Sequence, residues 1–170
     1  MSLKPPYANP APNIVPKPNP AALCSPICFQ LKSFCKKRSI KIIEDCAQSF
    51  GAKNNNEPNG KFGDLACFSM NPMKVFGGYG DAGAVCSDNL NTVNKIKSLR
   101  YAGTINKEFV VDPDLNHKID SLQATILLNQ LKFLNSKIKK RISNAFFYEK
   151  NLTNKVIKPK FYSDGRHVYY

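Results

Sequence analysis

The chain has 170 residues, 42% of them hydrophobic, with 25 Lys and Arg against 12 Asp and Glu and a formal net charge of +13. That length sets the expectation of one domain with an appendage, and the hydrophobic share is enough for a core. No run approaches the ~20 apolar residues of a spanning helix, which argues against membrane insertion, and the densest basic cluster, Lys137 to Arg141, lies on a helix pattern without a recognition-helix or RNA-binding signature, which argues against nucleic acid.

Residues 1–26, MSLKPPYANPAPNIVPKPNPAALCSP, form a proline-studded tract with no strand or helix period and are expected to be disordered. Phe29 to Arg38 reads as a helix leading into a strand over residues 40–44, where the β-branched run Ile40-Lys41-Ile42-Ile43 delivers Glu44 and Asp45 at its carboxyl end. Ligands of open α/β sheets bind at such strand ends. Residues 53–61 read as a polar turn and residues 65–69 as a second strand, after which Pro72 stops ladder pairing between Ser69 and Lys74. Gly77, Gly78, Gly80 and Gly83 follow without the G-x-x-x-x-G-K-[ST] spacing of a phosphate loop, and a strand resumes over residues 83–87.

Asp88 and Asn89 are caps for a helix over about residues 90–101, which Gly103 ends; residues 104–118 read as a loop. Asp120 caps a long helix to about Asn151 whose apolar stripe runs Leu127, Leu131, Leu134, Ile138, Ile142 and Phe146, leaving its lysines on a solvated face. A short strand is expected near Val156 and Ile157. The six cysteines lack metal-site spacing, since Cys24 and Cys28 stand as C-x-x-x-C without a second pair; no metal is expected, and reduced thiols in the cytoplasm are the natural reading.

A lysine amine attacks a carbonyl only when neutral, and a carboxylate facing a pyridine nitrogen keeps that nitrogen protonated so that the ring accepts electrons. Lys74 and Asp45 have the chemistry for these two tasks. On residue types alone, a solvated lysine and a capping aspartate are the commoner reading.

Four ordered segments carry a more specific signal: IIEDCAQSFGA, NGKFGDLACFSMNPMK, GYGDAGAV and LNHKIDSLQATILLNQL. From about Cys28 to Tyr170 the chain resembles the sugar aminotransferases of the DegT/DnrJ/EryC1/StrS family, within the fold type I pyridoxal-phosphate enzymes. The resemblance implies pyridoxal 5'-phosphate as cofactor, carried by Lys74. It implies Asp45 at the pyridine nitrogen, Gln48 against the ring or its phenolic oxygen, and Ser69 on the phosphate. Asn116 would reach the phosphate bound in a neighbouring subunit, with Asp114 and Lys118 standing where the family prefers glycine and arginine. A lysine at position 74 favours an aminotransferase over the related sugar 3-dehydratases, which carry histidine there.

The implied fold is α/β: a partial fold type I large domain, a mixed sheet flanked by helices, over residues 27–154, and the start of a small domain over residues 155–170. Family members are more than twice as long, and the phosphate-binding helix N-terminus that they carry upstream has no counterpart here. The expected function is transfer of an amino group, from glutamate by resemblance, to a nucleotide-linked keto sugar in a dimer. The chain as given reads as truncated and inactive alone; the alternatives are a non-catalytic remnant or a basic interaction module with a proline-rich arm.

Overall fold

The computed structural model describes residues 26–54, 57–153, 155–158 and 165–170; the proline-rich tract, but for Pro26, lies outside them. Helix α1 (Pro26–Lys37) has proline at its first position, where the missing N–H costs nothing. It leads to β1 (Ile43–Asp45), β2 (Lys53–Asn54), β3 (Glu57–Pro58), β4 (Leu65–Ser69) and β5 (Gly83–Cys86). Then follow α2 (Leu90–Arg100), the hairpin β6 (Thr104–Ile105) and β7 (Phe109–Val110), α3 (Ser121–Asn151) and β8 (Gly165–Arg166).

Among the described residues three small sheets result. The first has the order β1-β4-β5, with β1 parallel to β4 and β5 antiparallel to it, and so is mixed as expected. The second, β3-β2-β8, draws the chain's last described segment onto residues 53–54. Arg166 reinforces that pairing, donating from Nε (2.9 Å) and Nη2 (2.6 Å) to the carbonyl of Gly51.

Capping chemistry sets the helix ends where the residue types suggest. Asn89 accepts from Thr92 N, and Asp120 accepts from Gln123 N at 2.7 Å. Gly103 takes φ +68 and returns its N–H to Ser98 O, closing α2.

The core gathers Ala52, Val75, Phe76, Leu127, Leu134, Ile138 and Val168, so α3 packs on the loop that carries Lys74 and on the tail. Phe50 joins it, stacking 4.5 Å from Phe76 and edge-on to Phe68.

Five expectations are corrected. The first strand begins at Ile43 instead of residue 40, because Ile42 N–H goes to the Asp64 carboxylate and Ile42 C=O to the amides of Asp64 and Leu65. Residues 53–61 hold the two short strands β2 and β3 as well as a turn, and residues 104–118 contain the β6–β7 hairpin. Val156 and Ile157 form no strand; Val156 N closes a turn on Thr153 O, and Ile157 is 99% exposed. Leu131 and Phe146 of the α3 stripe are exposed, because the loop and tail against α3 cover a narrow strip centred on Leu127, Leu134 and Ile138.

Candidate functional site

Because β1 and β4 run parallel, their carboxyl ends lie at the same side of the sheet, and the register sets Asp45 opposite Cys67. Ser69 ends β4 two residues later. Alternate strand residues share a face, so Asp45, Cys67 and Ser69 lie on one, with Asp45 and Ser69 offset by about 7 Å along the strands. This is the open face of the sheet: Ile43 on it is 65% exposed and Val85 45%, whereas Ala66 on the other face is fully buried.

Asp45 is itself exposed, and its Oδ1 accepts from Ala47 N at 3.0 Å, starting the turn that carries the exposed Gln48. Cys46 between them is buried, and Cys46 N–H extends the pairing to Cys67 O at 2.8 Å. Burial pushes the Cys46 thiol up to about 11, against a hydrogen bond from Ser49 and with the Glu44 and Asp45 charges adding to the rise. Such a thiol stays protonated and unreactive near neutral pH.

Glu44 does a different task from its neighbour. Its carboxylate accepts from the backbone N–H groups of Phe62 (2.7 Å), Gly63 (2.7 Å) and Gly60 (3.1 Å). Asp64 answers from the other side, accepting from Ile42 N at 2.9 Å and from Lys41 Nζ at 3.1 Å. The Ile42 amide first, and Lys41 with it, hold the Asp64 carboxyl below the usual carboxylate range. The two carboxylates thus tie β1 to the loop that enters β4, which maintains the register on which the Asp45–Ser69 placement depends.

Lys74 sits in a loop closed at its base, where Met70 N bonds Ala82 O (2.8 Å) and Gly78 N bonds Met70 O (2.9 Å). Lys74 N–H turns back to Asn71 O at 2.9 Å, and Gly77 passes so near Asn71 O that a Cβ there would collide with it. Val75 and Phe76 are buried in the core, so the backbone beside Lys74 is anchored while its half-buried side chain extends to the ring of Tyr170, 4.5 Å from Nζ. Asp45, Ser69 and the Lys74 loop therefore follow from one end of the sheet, where the parallel strands β1 and β4 finish. Asn116 lies elsewhere: it is exposed, bridges Tyr101 at the end of α2, and accepts from Lys118 N at 3.1 Å.

Glu44, Gln123 and Tyr170 are absent from the sequence-derived set. Glu44 and Gln123 stand inside segments already singled out, and strand alternation was the available signal for Glu44. Gln123 Oε1 accepts from Tyr79 N at 2.8 Å across 44 residues of sequence. Among the described residues no group of three or more His, Cys, Asp or Glu is arranged for a metal, and no helix is long and apolar enough to cross a membrane.

Comparison with known proteins matches the sequence and fold of this chain to a family. The chain is 35% identical over 125 residues to dTDP-3-amino-3,4,6-trideoxy-alpha-D-glucose transaminase of Micromonospora megalomicea, covering 73% of this chain and 33% of the relative. It is 34% identical over 149 residues to UDP-4-amino-4,6-dideoxy-N-acetyl-beta-L-altrosamine transaminase of Campylobacter jejuni, covering 82% and 39%. Among solved structures, an aminotransferase from Brucella abortus superposes with a TM-score of 0.77 at 27% identity, over 83% of this chain and 38% of that one. The chain therefore spans between a third and two fifths of the length of these proteins, and its mixed α/β fold is part of theirs. The model of the DegT/DnrJ/EryC1/StrS aminotransferase family matches residues 28–168, which takes in Asp45, Gln48, Ser69, Lys74 and Asn116 together with the sheet and helices that place them, and the chain belongs to that family.

Proposed function

We propose that this chain forms part of a pyridoxal-phosphate-dependent aminotransferase acting on nucleotide-linked keto sugars, with an amino acid, glutamate by family resemblance, as amino donor. The observation that carries the reading is the parallel β1–β4 register, which sets a carboxylate and a hydroxyl on one open face directly before a closed loop bearing a lysine. The donor set suits the cofactor group by group: a carboxylate for the pyridine nitrogen, a hydroxyl for the phosphate, and a primary amine for the aldehyde.

When bound, pyridoxal phosphate supplies an electron-withdrawing ring that accepts the electron pair left when a proton leaves the substrate carbon. Lys74 would hold the cofactor at its aldehyde end and, with its amine free, would take up and return a proton at the substrate carbon as general base and then acid. Asp45 holds the proton on the pyridine nitrogen. Ser69 donates to the phosphate, and Gln48, in the turn after Asp45, orients the ring. Asn116, exposed and bridged to Tyr101 at the end of α2, suits a contact to the phosphate of a neighbouring subunit in a dimer. The net positive charge favours both a phosphate and a nucleotide diphosphate. We place the reaction in the cytoplasm.

The open face with Ile43 and Val85 supports a further reading, that turnover requires polypeptide beyond these residues to cover the site. The test is titration of the purified chain with pyridoxal phosphate, followed by borohydride reduction and peptide mapping. Label concentrated on Lys74, and lost in Lys74→Ala, is expected. Label spread evenly over the surface lysines would remove the reading.

A further inference from the structure

We propose that Gln123 is a positioning residue that fixes the loop carrying Lys74; the inference rests on the reading of Lys74 as the cofactor-bearing lysine. Gln123 occupies the third position of α3, three residues after the cap Asp120, the place where a glutamine commonly folds back onto the cap's own amide. Its backbone N–H does bond Asp120 Oδ1, at 2.7 Å. Its side chain goes elsewhere, accepting the Tyr79 amide at 2.8 Å.

The contact is shaped on both sides. A Cβ added to Gly78 would lie 2.7 Å from Gln123 Oε1, and one added to Gly80 would lie 3.1 Å from Gln123 Nε2. Glycines therefore flank Tyr79 where the amide of Gln123 passes. One turn further along α3, Leu127 shares the core with Val75 and Phe76. The helix thus holds the descending limb of the loop at two levels, by apolar packing next to Lys74 and by a hydrogen bond at Tyr79. With the base closed from Gly78 N to Met70 O, the loop is pinned at its base and along its descending limb.

What the latch requires is an acceptor at Oε1, which separates it from a packing role. Gln123→Glu keeps the acceptor, whereas Gln123→Met keeps length and volume without it. Gly78→Ala leaves the glutamine in place but pushes its oxygen off Tyr79. The full chain and the three variants are compared by hydrogen exchange over residues 77–82 and by the fraction of reduced pyridoxal phosphate recovered on Lys74. Loss of one hydrogen bond should speed exchange in that segment by about tenfold in Gln123→Met and Gly78→Ala, with β4 and β5 unchanged. Lys74 labelling should fall in the same two variants, and Gln123→Glu should stay within about twofold of the parent in both readouts.

Unchanged exchange in Gln123→Met, or equal loss in Gln123→Glu, would overturn the latch. Local acceleration with undiminished Lys74 labelling would overturn the positioning role. If the parent chain itself shows no preference for Lys74, the cofactor reading fails, and the positioning role with it. The exchange pattern then still distinguishes a latch from none.

Discussion

Replacing Glu44 by alanine tests whether the site's register is held by the carboxylate that grips residues 60–63. Three backbone amides lose their acceptor in Glu44→Ala, two of them bonded at 2.7 Å. A hydrogen bond to a charged group contributes about 1.5–3 kcal/mol, but the loop is at the surface and water reaches part of what is freed, so the loss should be about 2–4 kcal/mol instead of the full sum. Glu44→Gln retains an oxygen toward Phe62 and Gly63 while setting an amide NH2 against Gly60 N–H, and should lose about 1–2 kcal/mol. Equilibrium urea unfolding followed by far-UV circular dichroism measures both, with the midpoint falling at constant slope. Hydrogen exchange should rise at residues 60–63 and at β1 in the same variants. A change of under about 0.5 kcal/mol in Glu44→Ala, the scale of an ordinary surface substitution, would refute the argument and assign the loop's order to its own backbone.

Three other outcomes follow from the same geometry. Asp64 has a folded pKa below its unfolded value, so its contribution is present above the ordinary carboxylate range and is lost as pH falls through the depressed value; the melting temperatures of the parent and Asp64→Asn should differ at neutral pH and converge in acid, and parallel curves would contradict this. Gly103→Ala places a methyl on the Asp112 carbonyl at φ +68, and a loss of more than about 2 kcal/mol in urea unfolding is expected, because both backbone strain and backbone collision oppose it. Thiol labelling at pH 8 should reach the exposed Cys86 well before Cys46, whose buried thiol ionises only near 11, and equal rates would show that β1 opens readily.

What was legible in the sequence is what local chemistry decides. Asn89 and Asp120 cap the helices they precede, Gly103 ends α2 by taking positive φ, and Leu65–Ser69 is a strand to the residue. What was hidden depends on partners far along the chain. Ile40 to Ile42 has the composition of a strand, yet Asp64, 22 residues beyond Ile42, removes its amide from the ladder. Val156 and Ile157 have the same composition, but no strand among the described residues pairs with them, and β-branched residues form strands only against a neighbour. The α3 stripe marks the helical face correctly, but how wide a strip is covered depends on the loop and tail opposite, which periodicity does not encode.

The candidate site shows the same division within single motifs. In IIEDCAQSFGA the resemblance assigns a role to Asp45 and none to Glu44, although the two are adjacent. A strand sends neighbours to opposite faces, so a dipeptide of two carboxylates at a strand end is divided between the open face and the inner one. Asp45 remains exposed, while Glu44 is consumed by three amides of the loop behind the sheet. The segment beginning at Asn116 divides likewise: Asn116 stays exposed, and Gln123 turns inward to Tyr79. In both, the residue that holds the scaffold lies within seven positions of the one proposed to meet a ligand, and the reach of its bonds tells them apart: Asp45 and Asn116 bond amides two residues on, whereas Glu44 and Gln123 bond amides at least 16 residues away. A polar side chain saturated by backbone amides has its hydrogen-bonding capacity occupied and serves position, whereas an exposed one beside it still has capacity for a ligand.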